Sequence, residues 1–207
     1  WDKRIGGSYF DKLTDMVATS DGGYLLAIQT SSSISGDKTV ADHGDYDYWV
    51  VKIDSVGNIV WQNTYGGDGQ ESIYSITRLH DGNFLLGGIS TSNTSGTKTQ
   101  DTKDTSQTDI FRRGDYWLVK IDSVGNQIWD KDYGGVDAEN KIGNIEQTVD
   151  GGFIITGTSY SNQGGDKTED NNAKIDAPWL VKTDSNGNIM WDKTIKTQPG
   201  WWHDELA

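Results

Sequence analysis

A tryptophan-anchored phrase recurs along the chain: Trp1-Asp-Lys-Arg-Ile-Gly-Gly, Trp61-Gln-Asn-Thr-Tyr-Gly-Gly, Trp129-Asp-Lys-Asp-Tyr-Gly-Gly and Trp191-Asp-Lys-Thr-Ile. Self-similarity at this period marks a tandem repeat, in which each unit buries its apolar surface against its neighbours. Such an array seldom builds one buried catalytic constellation per unit. Function is expected where the copies differ or where their loops converge.

Each full unit reads in the same order. A half-apolar run ends in Asp-Gly-Gly or Asp-Gly-Asn (16–23, 73–83 and 142–152), and a short β-prone run follows (24–30, 84–90 and 153–159). Next come a long polar loop and then Asp47-Tyr-Trp-Val-Val-Lys-Ile-Asp54, Asp115-Tyr-Trp-Leu-Val-Lys-Ile-Asp122 or Ala177-Pro-Trp-Leu-Val-Lys-Thr-Asp184. A tight turn leads to the Trp phrase. Length, β-branched content and turn punctuation predict four strands per unit. Glycine accepts positive φ, so Asp21-Gly22, Asp81-Gly82 and Asp150-Gly151 predict hairpins. Asp first and Gly fourth, as in Asp54 to Gly57, Asp122 to Gly125 and Asp184 to Gly187, predict type I turns. No segment has a convincing helical period, so essentially no helix is expected.

Alternation along Trp49 to Ile53 sends Trp49, Val51 and Ile53 to one face and Tyr48 and Val50 to the other. A sheet apolar on both faces needs cover on both, and stacked identical sheets supply it. The fold class expected is therefore all-β, a β-propeller-like array of four-stranded antiparallel blades, with a β-solenoid as the alternative. Residues 1–9 read as the last strand of a preceding repeat. Residues 10–67, 68–135 and 136–195 read as three blades, and 196–207 as a linker and the start of a further repeat. Propellers close with roughly 4–8 blades, so the chain is expected to be part of a longer array or to need partners for closure. In a meander, connections alternate between edges. The long loops (31–46, 91–114 and 160–176) and the Gly-Gly linkers should therefore share one end, where binding usually resides.

Composition bounds the rest. Without cysteine the chain cannot be a disulfide scaffold or a Cys-ligated metal protein. A net charge of −13 argues against nucleic acid as a partner. No stretch approaches the ~18 apolar residues of a membrane span, so no membrane insertion is expected. The chain opens inside a repeat, so the absence of a signal peptide leaves export open.

Seven of the nine tryptophans occupy equivalent positions (1, 61, 129 and 191; 49, 117 and 179) and are expected to pack between blades. Trp201 and Trp202 break the pattern, where Lys196 to Trp202 replaces the Gly-Gly linker, and are ligand-contact candidates. So are the loop acids Asp37, Asp42, Asp45, Asp101, Asp104, Asp166 and Asp170. Clustered carboxylates could hold Ca²⁺, though none fits an EF-hand and no metal site is assigned; solvated Asp in local turns is the default. An acid stands four residues after the second Gly of each linker (Asp11, Glu71 and Glu139), and recurrence there suggests a shared hydrogen bond to backbone. His43, His80 and His203 fall at non-equivalent positions, and no unique pair of facing acids stands out. No catalytic residue is therefore nominated and no cofactor is required.

The combination of Ser-Gly-Asp-Lys-Thr (35–39), the run from Asp47 to Trp61, Tyr-Gly-Gly (65–67) and Asp-Gly-Asn (81–83) resembles the tandem repeats of large secreted surface proteins of Bacteroidota, typically exported by the type IX system. The resemblance covers nearly the whole chain. It implies export, a propeller-like fold and a role outside the cell, and no assigned catalytic residues. A weaker likeness links Asp54, Gly57 and Trp61, and their counterparts, to quinoprotein-type propellers, where such a hairpin locks neighbouring blades. The functional expectation is a non-catalytic repeat region, secreted or at the cell surface, displaying loops for adhesion or for binding a surface glycan or another surface or secretion protein. The alternatives are an accessory propeller of an extracellular carbohydrate-active or quinoprotein-like enzyme, and a structural spacer without its own ligand.

Overall fold

The structure, a computed structural model, describes residues 2–103, 114–137, 139–171 and 176–195. Twelve strands form three separate four-stranded sheets. The first holds β1 (Asp11–Ala18), β2 (Tyr24–Thr30), β3 (Asp47–Ile53) and β4 (Ile59–Tyr65). The second holds β5 (Glu71–Arg78), β6 (Phe84–Ser90), β7 (Asp115–Ile121) and β8 (Gln127–Tyr133). The third holds β9 (Glu139–Gln147), β10 (Phe153–Ser159), β11 (Ala177–Thr183) and β12 (Ile189–Thr194). Each is an antiparallel meander, and no helix occurs among the described residues. The turns are closed as their sequence demands. Asp54 N–H donates to the Asn58 carbonyl and Gly57 N–H to the Asp54 carbonyl, with Gly57 at φ 86°. A β-solenoid, the alternative expected above, would pair strands of successive units in shared sheets. Here, among the described residues, every strand pairs inside its own unit, and a single parallel bridge, Tyr46 to Gln70, crosses between units.

The sheets stack face to face, with β1, β5 and β9 adjacent. The central strands β3 and β6 are buried along their whole length, as two-faced apolar strands must be. Tyr48 and Val50 of the first sheet meet Trp117, Val119 and Ile121 of the second in one cluster. Tyr116 and Leu118 of the second meet Trp179 and Val181 of the third in another. Each interface is thus the tyrosine face of one sheet on the tryptophan face of the next. The ring pairs Tyr48–Trp117 and Tyr116–Trp179 stand 4.9 and 5.2 Å apart. Close approach requires glycine opposite each tyrosine. A Cβ on Gly88 would fall 2.5 Å from the Tyr48 hydroxyl, and one on Gly157 would fall 2.4 Å from that of Tyr116.

The recurrent phrase supplies a second lock. Trp61 lies against Gly125 in the β7–β8 turn of the next sheet, whose carbonyl accepts from Asn63 Nδ2 (2.8 Å) and the Tyr65 hydroxyl (2.6 Å). Tyr133 donates in the same way to the Gly187 carbonyl at 2.7 Å. The packing role expected of these tryptophans holds for Trp61 and Trp129, and Trp191 is half-exposed. Trp1 lies outside the described residues. Residues 2–7, read above as the end of a preceding strand, form no strand in the structure. The Asp37 N–H donates to the Gly6 carbonyl, but no strand pairs with this segment among the described residues. Ile5 nevertheless packs on the cluster of Trp49, Val51 and Ile53, as Tyr65 packs on that of the second sheet.

Candidate functional site

The described parts of the long loops and the Gly-Gly linkers do share one end, joined by backbone bonds. Asp37 N–H donates to the Gly6 carbonyl, Thr97 N–H to that of Gly66 and Asp166 N–H to that of Gly134 (2.7–2.9 Å). The opposite end carries the hairpins. There Lys52, Lys120 and Lys182 pair with Asp21, Asp81 and Asp150, each at 2.9 Å. Hydrogen bonds from Thr19 and Lys52, and from Thr148 and Lys182, hold Asp21 and Asp150 below the usual carboxylate range.

The linker acids behave as their recurrence predicts. Gly7, Gly67 and Gly135 each donate a backbone N–H to Asp11, Glu71 and Glu139, at 2.6, 2.8 and 2.8 Å. Glu71 also accepts from the hydroxyls of Ser90 (2.8 Å) and Ser92 (2.6 Å), which ties linker, β5 and β6 together. The serines escaped sequence reasoning, although Ser-x-Ser (or Thr-x-Ser) closes β2, β6 and β10 alike. Burial pushes Glu139 up to about 8. Its folded form therefore favours the proton, so the stability it lends is complete below about pH 4.5 and is lost as pH rises to about 8. Melting temperature should fall across that window, and Glu139→Gln should flatten the fall. An equally steep profile in the variant would rule out Glu139 as its source.

The loop acids are engaged with their own chain. Asp37 accepts from Gly6 N–H (3.2 Å), Asp166 from Gly134 N–H (3.3 Å), and burial raises the Asp166 carboxyl. Asp101 accepts from Thr94 N–H (2.8 Å), which holds it below the usual range, and Asp170 accepts from Gln163 N–H (3.0 Å). Asp42 takes the Ser33 hydroxyl at 3.3 Å, and Asp45 takes Gln70 Nε2 at 3.5 Å. Asp104, Trp201 and Trp202 lie outside the described residues. No group of three or more His, Asp or Glu side chains converges as a metal site among the described residues. A shallow, open groove runs along β8, lined by Thr99, Gln100, Gln127, Trp129 and Lys131 among others.

The lysine of the Gly-x-Lys-Thr motif carries a feature the sequence hides. Lys38, Lys98 and Lys167 are buried, and the ammoniums of Lys98 and Lys167 lie 6.0 and 5.1 Å from the ring centres of Trp117 and Trp179. Burial lowers the pKa of Lys38 and Lys167. The following threonine binds the residue after the Trp of the phrase: Thr99 Oγ1 donates to Asp130 and Thr168 Oγ1 to Asp192, both at 2.6 Å. Those carboxylates also accept the indole N–H of Trp117 and Trp179 at 2.9 Å. Each loop is thereby clamped over its own tryptophan. In the first unit Gln62 stands in place of that carboxylate, accepting the Thr39 N–H and the Trp49 indole N–H, both at 3.1 Å. The lysine's partners differ too: Lys38 Nζ donates to the Val40 carbonyl (2.7 Å), Lys98 Nζ to the Gln100 carbonyl (2.8 Å) and to the buried carboxyl of Asp132, and Lys167 Nζ to Thr194 Oγ1 (2.6 Å).

No family model matches the chain, and no curated protein matches it.

Proposed function

We propose that the chain is a propeller-like, non-catalytic segment of a secreted or cell-surface protein that displays loops for binding a glycan or a protein. The propeller reading rests on three meander sheets stacked face to face with their first strands innermost. The observation that carries the binding role is a constant frame beneath unequal loops. Trp face, Tyr face and linker acid repeat with the same contacts, whereas the stretches 39–46, 99–114 and 168–176 differ in length and sequence. The resemblance to Bacteroidota surface repeats supports export.

A glycan array probed with the folded chain should show at least one class of ligand. Replacing 103–113 by the short counterpart from the first unit should weaken that binding while the melting temperature holds. A folded chain that binds nothing on the array would favour the spacer reading. Because each described loop acid accepts an internal hydrogen bond, calorimetric titration with Ca²⁺ is expected to release no binding heat. A saturable heat would return calcium to the loops.

A further inference from the structure

The second unit departs from its neighbours at one buried place. Lys98, Asp115 and Asp132 meet there beside Trp117, and all four residues are almost wholly inaccessible. The Lys98 and Asp132 side chains have no exposed area, and their Nζ and Oδ2 are in direct contact. The other oxygens, Asp115 Oδ1 and Asp132 Oδ1, are buried and have no partner. Burial, with the neighbouring Asp115, raises the Asp132 carboxyl well above the usual carboxylate range. Asp115 is positioned by Thr102 Oγ1 (2.8 Å) and by Lys103 N–H on its Oδ2. The first unit has Lys38 and Asp47 but Thr64 in place of Asp132, and the third has Lys167 with Thr194 and Ala177. An amine, a carboxyl and a second buried carboxyl therefore come together once among the described residues, in a dry pocket against an indole.

We propose that Lys98 and Asp132 join as an intramolecular isopeptide bond, with Asp115 as the acid that assists. The pair enters as ammonium and carboxylate. A buried site favours moving one proton from Nζ to the carboxyls, which leaves a neutral amine facing a neutral acid. The Nζ lone pair then attacks Cγ of Asp132 and the new N–C bond forms. One Cγ–O bond breaks, and its oxygen leaves as water with protons relayed through Asp115, which ends in its starting state. One amide and one water replace one ion pair, so no oxidant or cofactor is required. The product pins the loop after β6 to β8, across 34 residues of chain.

The test is the mass of the unfolded 207-residue chain. It should be one water lighter than its sequence, and digestion should yield a branched peptide joining the segments that hold Lys98 and Asp132. Lys98→Met and Asp115→Ala should both restore the full mass, the latter with both partners still present. The lysines of the other two units should appear in unbranched peptides. Full mass in the wild-type chain would overturn the proposal whatever the variants do. So would a water loss that maps to a succinimide at Asp21-Gly22, Asp81-Gly82 or Asp150-Gly151, which alkaline treatment reverses. A branched peptide that persists in Asp115→Ala would remove Asp115 from the chemistry.

Discussion

Trp117→Ala is expected to destabilise the chain by about 3–5 kcal/mol, the range for removing a large aromatic from a packed core. Trp117 is fully buried where the first two sheets meet. Its loss would open a cavity against Tyr48 and Val50 and leave Asp130 without the indole N–H it accepts at 2.9 Å. Trp191→Ala provides the contrast. That side chain is 48% exposed and, among the described residues, docks on no further sheet, so a change within about 0.5 kcal/mol is expected. Urea denaturation followed by fluorescence would measure both. Equal effects at the two positions would contradict the account in which burial of an indole against a neighbouring sheet sets its cost. Trp117→Phe should fall between them, since it keeps most of the apolar area and loses the donor.

Glu71→Ala should be nearly as severe. The side chain is fully buried and gathers the Gly67 N–H and the Ser90 and Ser92 hydroxyls. Each donor left unpaired in the interior costs about 1–3 kcal/mol. The terms are not additive, and a total of about 3–5 kcal/mol is expected, as for breaking a buried network. Asp11 makes the matching bonds to Gly7 N–H and to the Thr30 and Ser32 hydroxyls, but it is only partly buried. Water can replace part of what Asp11→Ala removes, so its cost should be distinctly smaller. Hydrogen exchange at β5 and at the Gly66-Gly67 linker would show whether the loss is local to that crossing. An Asp11→Ala effect as large as that of Glu71→Ala would mean burial is not what sets the strength of these clamps.

Much of this frame was legible beforehand. Turn residues such as Gly57 and Gly125 mark where strands end, and the β2, β6 and β10 boundaries follow from sequence alone. The two-faced apolar run Tyr48 to Ile53 demanded cover on both sides, and the sheets cover one another in that way. The backbone role of Asp11, Glu71 and Glu139 was readable because it recurs at a fixed offset from glycine. The loop acids were harder. Asp37 and Asp166 look like surface carboxylates in sequence, yet both cap a linker glycine some thirty residues earlier.

What the sequence by itself determined is the repeating unit, its four strands, its hairpins and the two faces that must be buried. These follow from side-chain alternation and turn chemistry, which act over a few residues. Only the tertiary structure decided what the motif lysines and the acids facing them do. The three motif lysines are indistinguishable in the sequence and equally buried in the fold. What differs lies on β4, β8 and β12, far along the chain: Thr64, Asp132 and Thr194 stand at equivalent places, and only Asp132 confronts the amine with an acid. Long-range packing brings those groups together and removes the water between them. In that dry space the difference between a threonine and an aspartate becomes a difference in chemistry.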